Sequence, residues 1–353
     1  MQLLEFTGAT GAVALLGLIG GIVLGLAARI GRFCTLGAIE DVFYGGSDLR
    51  LRMWAVALGV AVTGCHALAA AGLFAPEATG YLARGWNPAS HVAGGLLFGY
   101  GMALAGNCGY GALARLGGGD LRSFVIVLVM GISAHVVLSG PLAGLRIALF
   151  PPALTGTESP AGLPWLLADL ALPGPAAWGM ALGLLILALA LAPSRMRAAR
   201  GAVLWGTAVG AAILSGWVGT HWLAQESLGA VPVVSHSFSG PLGDSVLWAM
   251  LASGQPLSFG VGSVAGVLAG AFLGSLMKGQ FRWEACEDHR ELRRQIAGAT
   301  AMGAGGALAV GCSVGQGLTA FALLAYSAPL TLACIVAGAW LGLRHLIHGF
   351  APS

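Results

Sequence analysis

The sequence predicts an all-helical, polytopic membrane protein, and three observations carry that prediction. Apolar residues fill 57% of the 353 positions while Asp, Glu, Lys and Arg fill only 9%, against roughly a quarter in a soluble domain. Long apolar runs recur along the whole chain, with no polar stretch large enough to form a soluble domain between them. A glycine-rich run ending in a cysteine also occurs twice in one register. Gly99-Tyr-Gly-Met-Ala-Leu-Ala-Gly-Asn-Cys108-Gly-Tyr-Gly111 aligns without a gap on Gly303-Ala-Gly-Gly-Ala-Leu-Ala-Val-Gly-Cys312-Ser-Val-Gly315. Small residues let helices approach closely in a bilayer, and glycine lets the chain leave a helix and expose its amides. A duplicated unit with a thiol at its tip follows.

Taken in order, the spans begin with a retained first helix, because Met1-Gln-Leu-Leu-Glu5 lacks the basic start and the cleavage site of a signal peptide. Runs of about 20 apolar residues are what a bilayer crossing requires. They fall near 12–30, 53–75, 90–107, 122–145, 176–193, 202–222, 257–277, 294–311 and 327–347, about nine transmembrane helices. Lys and Arg collect on the cytoplasmic side of a membrane. With the N-terminus outside and the C-terminus inside, every Lys and Arg except Arg84 and Arg146 falls on inner loops.

The Pro/Gly-rich stretch from Phe150 to Pro175 divides the chain. Residues 1–146 form a first four-span repeat, 147–200 a periplasmic connection plus one extra span, and 201–353 a second four-span repeat. Gly21, Gly25 and Gly31 of the first span match Gly206, Gly210 and Gly216 of the sixth, which sets Cys34 opposite Gly219. One unpaired span between the units turns the second upside down. That is an inverted-topology repeat, a plan many transporters share, with the site between the repeats. After Cys34, Cys108 and Cys312 come pieces too short to be spans, at 38–44, 110–116 and 316–325. These tips, and an equivalent near Gly219, are expected to fold back as re-entrant loops. Irregular backbone at membrane depth must be protein-buried or line a wet cavity, so loops entering from both faces predict an hourglass with a closed waist.

Of the six cysteines, Cys65 and Cys334 read as inert helix filler and Cys286, in a basic loop, as a solvated bystander. Cys34, Cys108 and Cys312 stand at helix breaks, where unpaired amides hold an anion and the thiol is a weak donor to a soft partner. With them go Gly106, Gly109, Gly111, Gly311, Ser313, Gly315 and Gln316 as candidate substrate-contacting residues. Arg32 supplies positive potential at the inner end of such a path, or is an ordinary cytoplasmic anchor. Glu40 and Asp41 read as a salt-bridging or capping pair. The basic run 282–294 is a docking face or plain topology charge, and His66, His135 and His221 read as hydrogen-bonded helix residues. No C-x-x-C, Cys/His ligand spacing, G-x-S-x-G, phosphate loop or H-E-x-x-H occurs, so no metal, cofactor or enzymatic chemistry is expected.

Gly31-Arg-Phe-Cys34-Thr-Leu-Gly-Ala-Ile, Gly106-Asn-Cys108-Gly-Tyr-Gly111, Phe281-Arg-Trp283-Glu and Met302-Gly-x-Gly305-x3-Ala309-x-Gly311-Cys312-Ser-x-Gly315-Gln-Gly317 together resemble the YeeE/YedE family of sulfur transporters over nearly the whole chain. The resemblance implies a bacterial inner-membrane protein with pseudo-two-fold inverted halves and re-entrant loops. It implies that Cys34, Cys108 and Cys312 are its working thiols, thiosulfate its substrate, and a cytosolic sulfur carrier of the SirA/TusA type its partner. No nucleic acid is implied. Weak S–H contacts suit a relay, with Cys312 nearer the entrance and Cys34 and Cys108 nearer the exit. Another sulfur or selenium species, a membrane sulfurtransferase forming a cysteine persulfide, and a scaffold subunit are the competing readings.

Overall fold

A computed structural model of the chain describes residues 2–83, 85–151, 160–170, 174–285 and 288–349. Arg84, Cys286 and residues 152–159 and 171–173 of the dividing connection lie outside the described residues. The elements are α1 (Gln2–Arg29), α2 (Thr35–Phe43), α3 (Leu49–Ala70), α4 (Gly80–Ala83), α5 (Pro88–Ala105), α6 (Gly109–Gly117), α7 (Leu121–Leu138) and α8 (Ala143–Leu149). Then come α9 (Leu163–Leu170), α10 (Pro175–Leu191), α11 (Ser194–Ala198), α12 (Arg200–Glu226), α13 (Ser239–Leu251), α14 (Phe259–Met277) and α15 (His289–Leu308). A π-helical turn (Gly315–Ala320), a 3-10 turn (Phe321–Leu323) and α16 (Ser327–His348) close the chain. Among the described residues, strand pairing is limited to two isolated bridges.

Helix ends follow the local chemistry. Asn87 caps α5, its Oδ1 accepting from the amides of Ala89 at 3.0 Å and Ser90 at 3.3 Å, with Pro88 in the first turn and left-handed Gly106 at the exit. Asp120, Ser258 and Asp288 cap α7, α14 and α15 the same way. Helices stand at all nine predicted span positions. Six are long and apolar enough to cross a membrane: Gly8–Arg29, α3, α7, α12, α14 and Ser327–Ile347; the bent pair α9 and α10 counts as a seventh. Helix α5 is glycine-rich, and α15 opens with Arg290, Glu291, Arg293 and Arg294.

Packing rests on small residues. Gly17, Gly21 and Gly25 of α1 face Gly262, Gly266 and Gly270 of α14, and at each of these positions a Cβ would run into the facing backbone. In hydrocarbon no hydrophobic force separates helix from lipid, so this backbone-to-backbone approach is the gain in dispersion that holds the pair. The same seam recurs between α12 and α3, where Gly206 and Gly210 meet Met53 and Ala57. Other contacts recur with exchanged partners. Helix α5 packs on α16 as α15 packs on α7; α2 touches α3 and α16 as α13 touches α14 and α7. Where corresponding helices cross, they are antiparallel: Leu16 meets Gly219 while Gly31 meets Trp205, and Gly94 meets Gly305 while Gly101 meets Gly298.

One expectation is corrected. The chain does not break near Gly219; α12 runs on to Glu226, and the fourth tip is the segment 235–238 leading into α13. Gly21 and Gly25 of α1 and Gly206 and Gly210 of α12 all face the backbone of a neighbouring helix, but α12 continues well past the point where α1 ends, so Cys34 and Gly219 are not counterparts. Short helical pieces do follow the other three tips: α2 after Cys34, α6 after Cys108, and the π-helical and 3-10 turns after Cys312. One end of the bundle gathers the cations: Arg29 on Ser275 at 2.7 Å, Arg52 on Asp48 at 2.6 Å, Arg122 on Asp120 at 3.2 Å and Glu284 at 3.6 Å, and Arg197 on the carbonyl of Leu191 at 2.8 Å. Arg146 sits at the other end, donating to the carbonyls of Val137 and Leu138 that close α7.

Candidate functional site

Three thiols share one local construction. Cys34 and Cys108 are extended N-cap residues whose Sγ atoms accept the amides of Gly37 and Gly111, each at 3.4 Å. Cys312 Sγ accepts from Gly315 at the same 3.4 Å and also from the amide of Phe238, at 3.3 Å. Phe238 precedes α13, so this one sulfur ties together two tips. Each cap reaches three residues on to a glycine, the position an N-cap side chain normally satisfies. The matching signal is Cys-x-x-Gly, which occurs at Cys34, Cys108 and Cys312 and not at Cys65, Cys286 or Cys334.

The tips meet. Thr35 donates its hydroxyl to Ser313 Oγ at 3.2 Å, and the Cys108 thiol lies close to that pair. Cys108 also lies within electrostatic reach of both Cys34 and Cys312. Tyr110, next after Gly109, donates to the carbonyl of Leu24 at 2.6 Å and stacks obliquely on Phe238. Cys108 and Cys312 are fully buried while Cys34 is half-buried, so the meeting point is closed. Cys34 and Cys108 follow α1 and α5, whose last turns lie towards the cation-rich end; Cys312 and Phe238 follow helices that finish at the opposite end. The N-termini of α2, α6 and α13 converge here, and their partial positive charge favours an anion.

From the end opposite the cations, a cavity of about 770 Å³ leads down to the Cys312 tip, with Tyr81, Trp217, Ser235, Ser237 and Val310 in its lining. Gly315 has no room for a side chain, because Ser237 Oγ and the Tyr81 hydroxyl stand beside it. Sequence reasoning missed both hydroxyls: Ser237 lies in the unrecognised fourth tip and Tyr81 in a loop between spans. On the other side, Arg50 and Arg115 bear electrostatically on Cys34, as does Glu40. Arg50 is held by Asp41, its Nη2 donating to Oδ1 at 2.7 Å, which makes Asp41 the salt-bridging member of the acidic pair.

The remaining candidates divide. Ser313 is at the meeting point, and Gly109 lies against the ends of the Met130 and Leu242 side chains, which would have to shift to admit a Cβ. Gly106 and Gly311 turn the backbone with φ of 75° and 153°. Gln316 faces inward but spends its amide on the fold: Nε2 donates to the carbonyls of Ala309 at 2.8 Å and Val310 at 3.2 Å, and Oε1 accepts from Ser327 at 3.2 Å. Arg32 is exposed, in left-handed backbone, outside the cluster. The histidines are hydrogen-bonded as expected, His66 to the carbonyl of Val62 at 2.9 Å, His135 to Asp244 at 3.1 Å and His221 to Gln225 at 3.0 Å.

The family described as Sulphur transport matches residues 30–341 of the chain. The chain is 25% identical over 348 residues to the thiosulfate transporter TsuA of Escherichia coli K12, covering 93% of both chains. It is 25% identical over 351 residues to the thiosulfate transporter TsuA of Spirochaeta thermophila, covering 92% of this chain and 96% of the relative.

Proposed function

The chain belongs to the sulphur-transport family, and from that membership we propose that it carries thiosulfate across the bacterial inner membrane into the cytoplasm by passing it between thiols at a closed waist. The observation that carries the reading is the meeting of three capped cysteines, tied across the waist by Thr35 and Ser313. Thiosulfate is a dianion with one soft, weakly hydrated sulfur. Each S–H contact to it is weak, so no single site traps it, and conduction needs binding loose enough to release. Cys312 receives the ion from the cavity, with Tyr81 and Ser237 as hydroxyl donors to its oxygens. Cys108 and then Cys34 hand it towards Arg50 and Arg115. Convergent helix N-termini offset its charge, the thiols stay reduced, and no bond to sulfur is broken. Gly106, Gly109, Gly111, Gly311 and Gly315 shape the tips that present them.

The architecture fits that role as an inverted repeat, with residues 1–146 and 201–353 as halves and 147–200 joining them. Support comes from the exchanged helix contacts and from the antiparallel crossings of α1 with α12 and α5 with α15. Nine spans follow when α5, α10 and α15 are counted. The cation-rich end is then cytoplasmic, which puts the N-terminus outside and the C-terminus inside. A small cytosolic sulfur carrier of the SirA/TusA type accepts the ion there, beside the exposed Trp283 and its basic neighbours.

Proteoliposome uptake of labelled thiosulfate, with sulfate and selenite as competitors, tests the reading. Saturable thiosulfate flux that sulfate fails to suppress is expected. Flux of selenite alone would move the substrate to selenium, and zero flux with a stable sulfur adduct on Cys34, Cys108 or Cys312 by mass spectrometry would make the protein a sulfurtransferase.

A further inference from the structure

The cavity above Cys312 is lined by small, apolar and hydroxyl side chains, and among its described lining residues one carboxylate stands out: Asp244, in the second turn of α13. No Lys, Arg or His is in that lining. A fixed negative charge in a narrow, weakly polar entrance excludes anions, since field lines focus in such clefts. Asp244 has one charged partner. His135 Nε2, on α7, lies 3.1 Å from its Oδ1, and the His135 Nδ1 on the far side of the ring is buried without a partner against Gly243.

Among the described residues, no other ionisable group faces the pair. Helix α14, packed on α13, carries no titratable side chain; the charges of α15 and Arg122 of α7 lie at the opposite end of the bundle. Arg146 is committed to the closing carbonyls of α7, and His236 points away to Ser263 at 2.7 Å. Among the described residues, two groups therefore set the charge of the entrance. With the imidazole protonated the pair is neutral overall; with it neutral, the entrance carries one negative charge.

We propose that the His135–Asp244 pair is the specificity-determining charge of this cavity, admitting anions when the imidazole is protonated and excluding them when it is not. The cavity's electrostatics stand on the geometry alone, while their consequence for thiosulfate rests on the transport reading above. Losing that proton leaves the Asp244 charge uncompensated, so the entrance should become less receptive to anions as external pH rises.

The test places a reporter thiol in the cavity by Val233→Cys and compares its rates of reaction with anionic and cationic methanethiosulfonate reagents in reconstituted protein. The anionic-to-cationic rate ratio should fall roughly tenfold from about pH 6 to about pH 8, as expected for one charge within several ångströms at intermediate dielectric. Asp244→Asn should hold the ratio high and flat; His135→Gln, which keeps a donor but no charge, should hold it low and flat. A ratio that ignores pH in the parent protein, or a pH dependence that survives Asp244→Asn, overturns the proposal. Thiosulfate uptake measured on the same vesicles separates the two readings: no uptake with the predicted ratios sinks the transport reading alone, and uptake with flat ratios sinks this one alone.

Discussion

Replacing Cys108 separates the cap that its sulfur makes from the substrate contact proposed for it. Its Sγ caps α6 by accepting the Gly111 amide at 3.4 Å, in a site with no exposure to solvent. Cys108→Ala removes the cap, worth about 1 kcal/mol, and empties space about the size of a methylene, worth about 0.8 kcal/mol more. A loss of about 2 kcal/mol follows. Cys108→Ser keeps an acceptor at the cap, and Ser313 remains available to its hydroxyl. Its stability should stay within about 1 kcal/mol of the parent. If the thiol works only as a cap, serine restores uptake. If the soft sulfur makes the contact, both variants lose uptake to background while only alanine unfolds earlier. Thermal unfolding in detergent and labelled thiosulfate uptake into proteoliposomes, on the same preparations, read the two effects. Full uptake by Cys108→Ser would refute the relay.

Gln316→Ala should cost about 3 kcal/mol, from three buried hydrogen bonds at about 1 kcal/mol each. A variant of unchanged melting temperature that nonetheless loses uptake would assign Gln316 to the substrate instead. Gly266→Val sets a branched side chain against the backbone of α1 at Leu18 and Gly21; the folded yield in membranes should collapse, and a normal yield would contradict the close seam. Cys65→Ala and Cys334→Ala, one buried and one half-buried but both outside the cluster, should cost about 1 kcal/mol of stability or less and leave uptake within about twofold. Tyr81→Phe together with Ser237→Ala should raise the KM for thiosulfate several-fold with the melting temperature unmoved, and an unchanged KM removes these hydroxyls from the entrance.

Much of this protein is decided within single stretches of chain. Apolar length sets where helices form, and helices stand at all nine expected positions. A cysteine three residues before a glycine at a helix break makes its own cap, so the three cysteine tips were legible as local patterns. The charge asymmetry likewise ordered the ends, because each Arg needs the same wet interface whatever its neighbours do. The fourth tip was not legible. It has no cysteine, and the glycine register that relates α1 to α12 persists past the point where the two chains diverge, so alignment pointed to Gly219 instead of 235–238.

Only the tertiary structure decided what surrounds the thiols. Thr35 and Ser313, 278 residues apart, meet because α1 and α15 end at opposite ends of the bundle and their tips return to one depth. Phe238 lends its amide to Cys312, and Tyr81 its hydroxyl to the same floor, through packing that no spacing in the chain records. Gln316 and Arg32 show the converse. Both sit close to a capping cysteine in sequence, yet one is turned to hold the fold and the other out to solvent. Helical periodicity and capping act over a few residues and so are written locally; which tip faces which depends on how glycine seams dock whole helices, and that is settled only when all of them are packed.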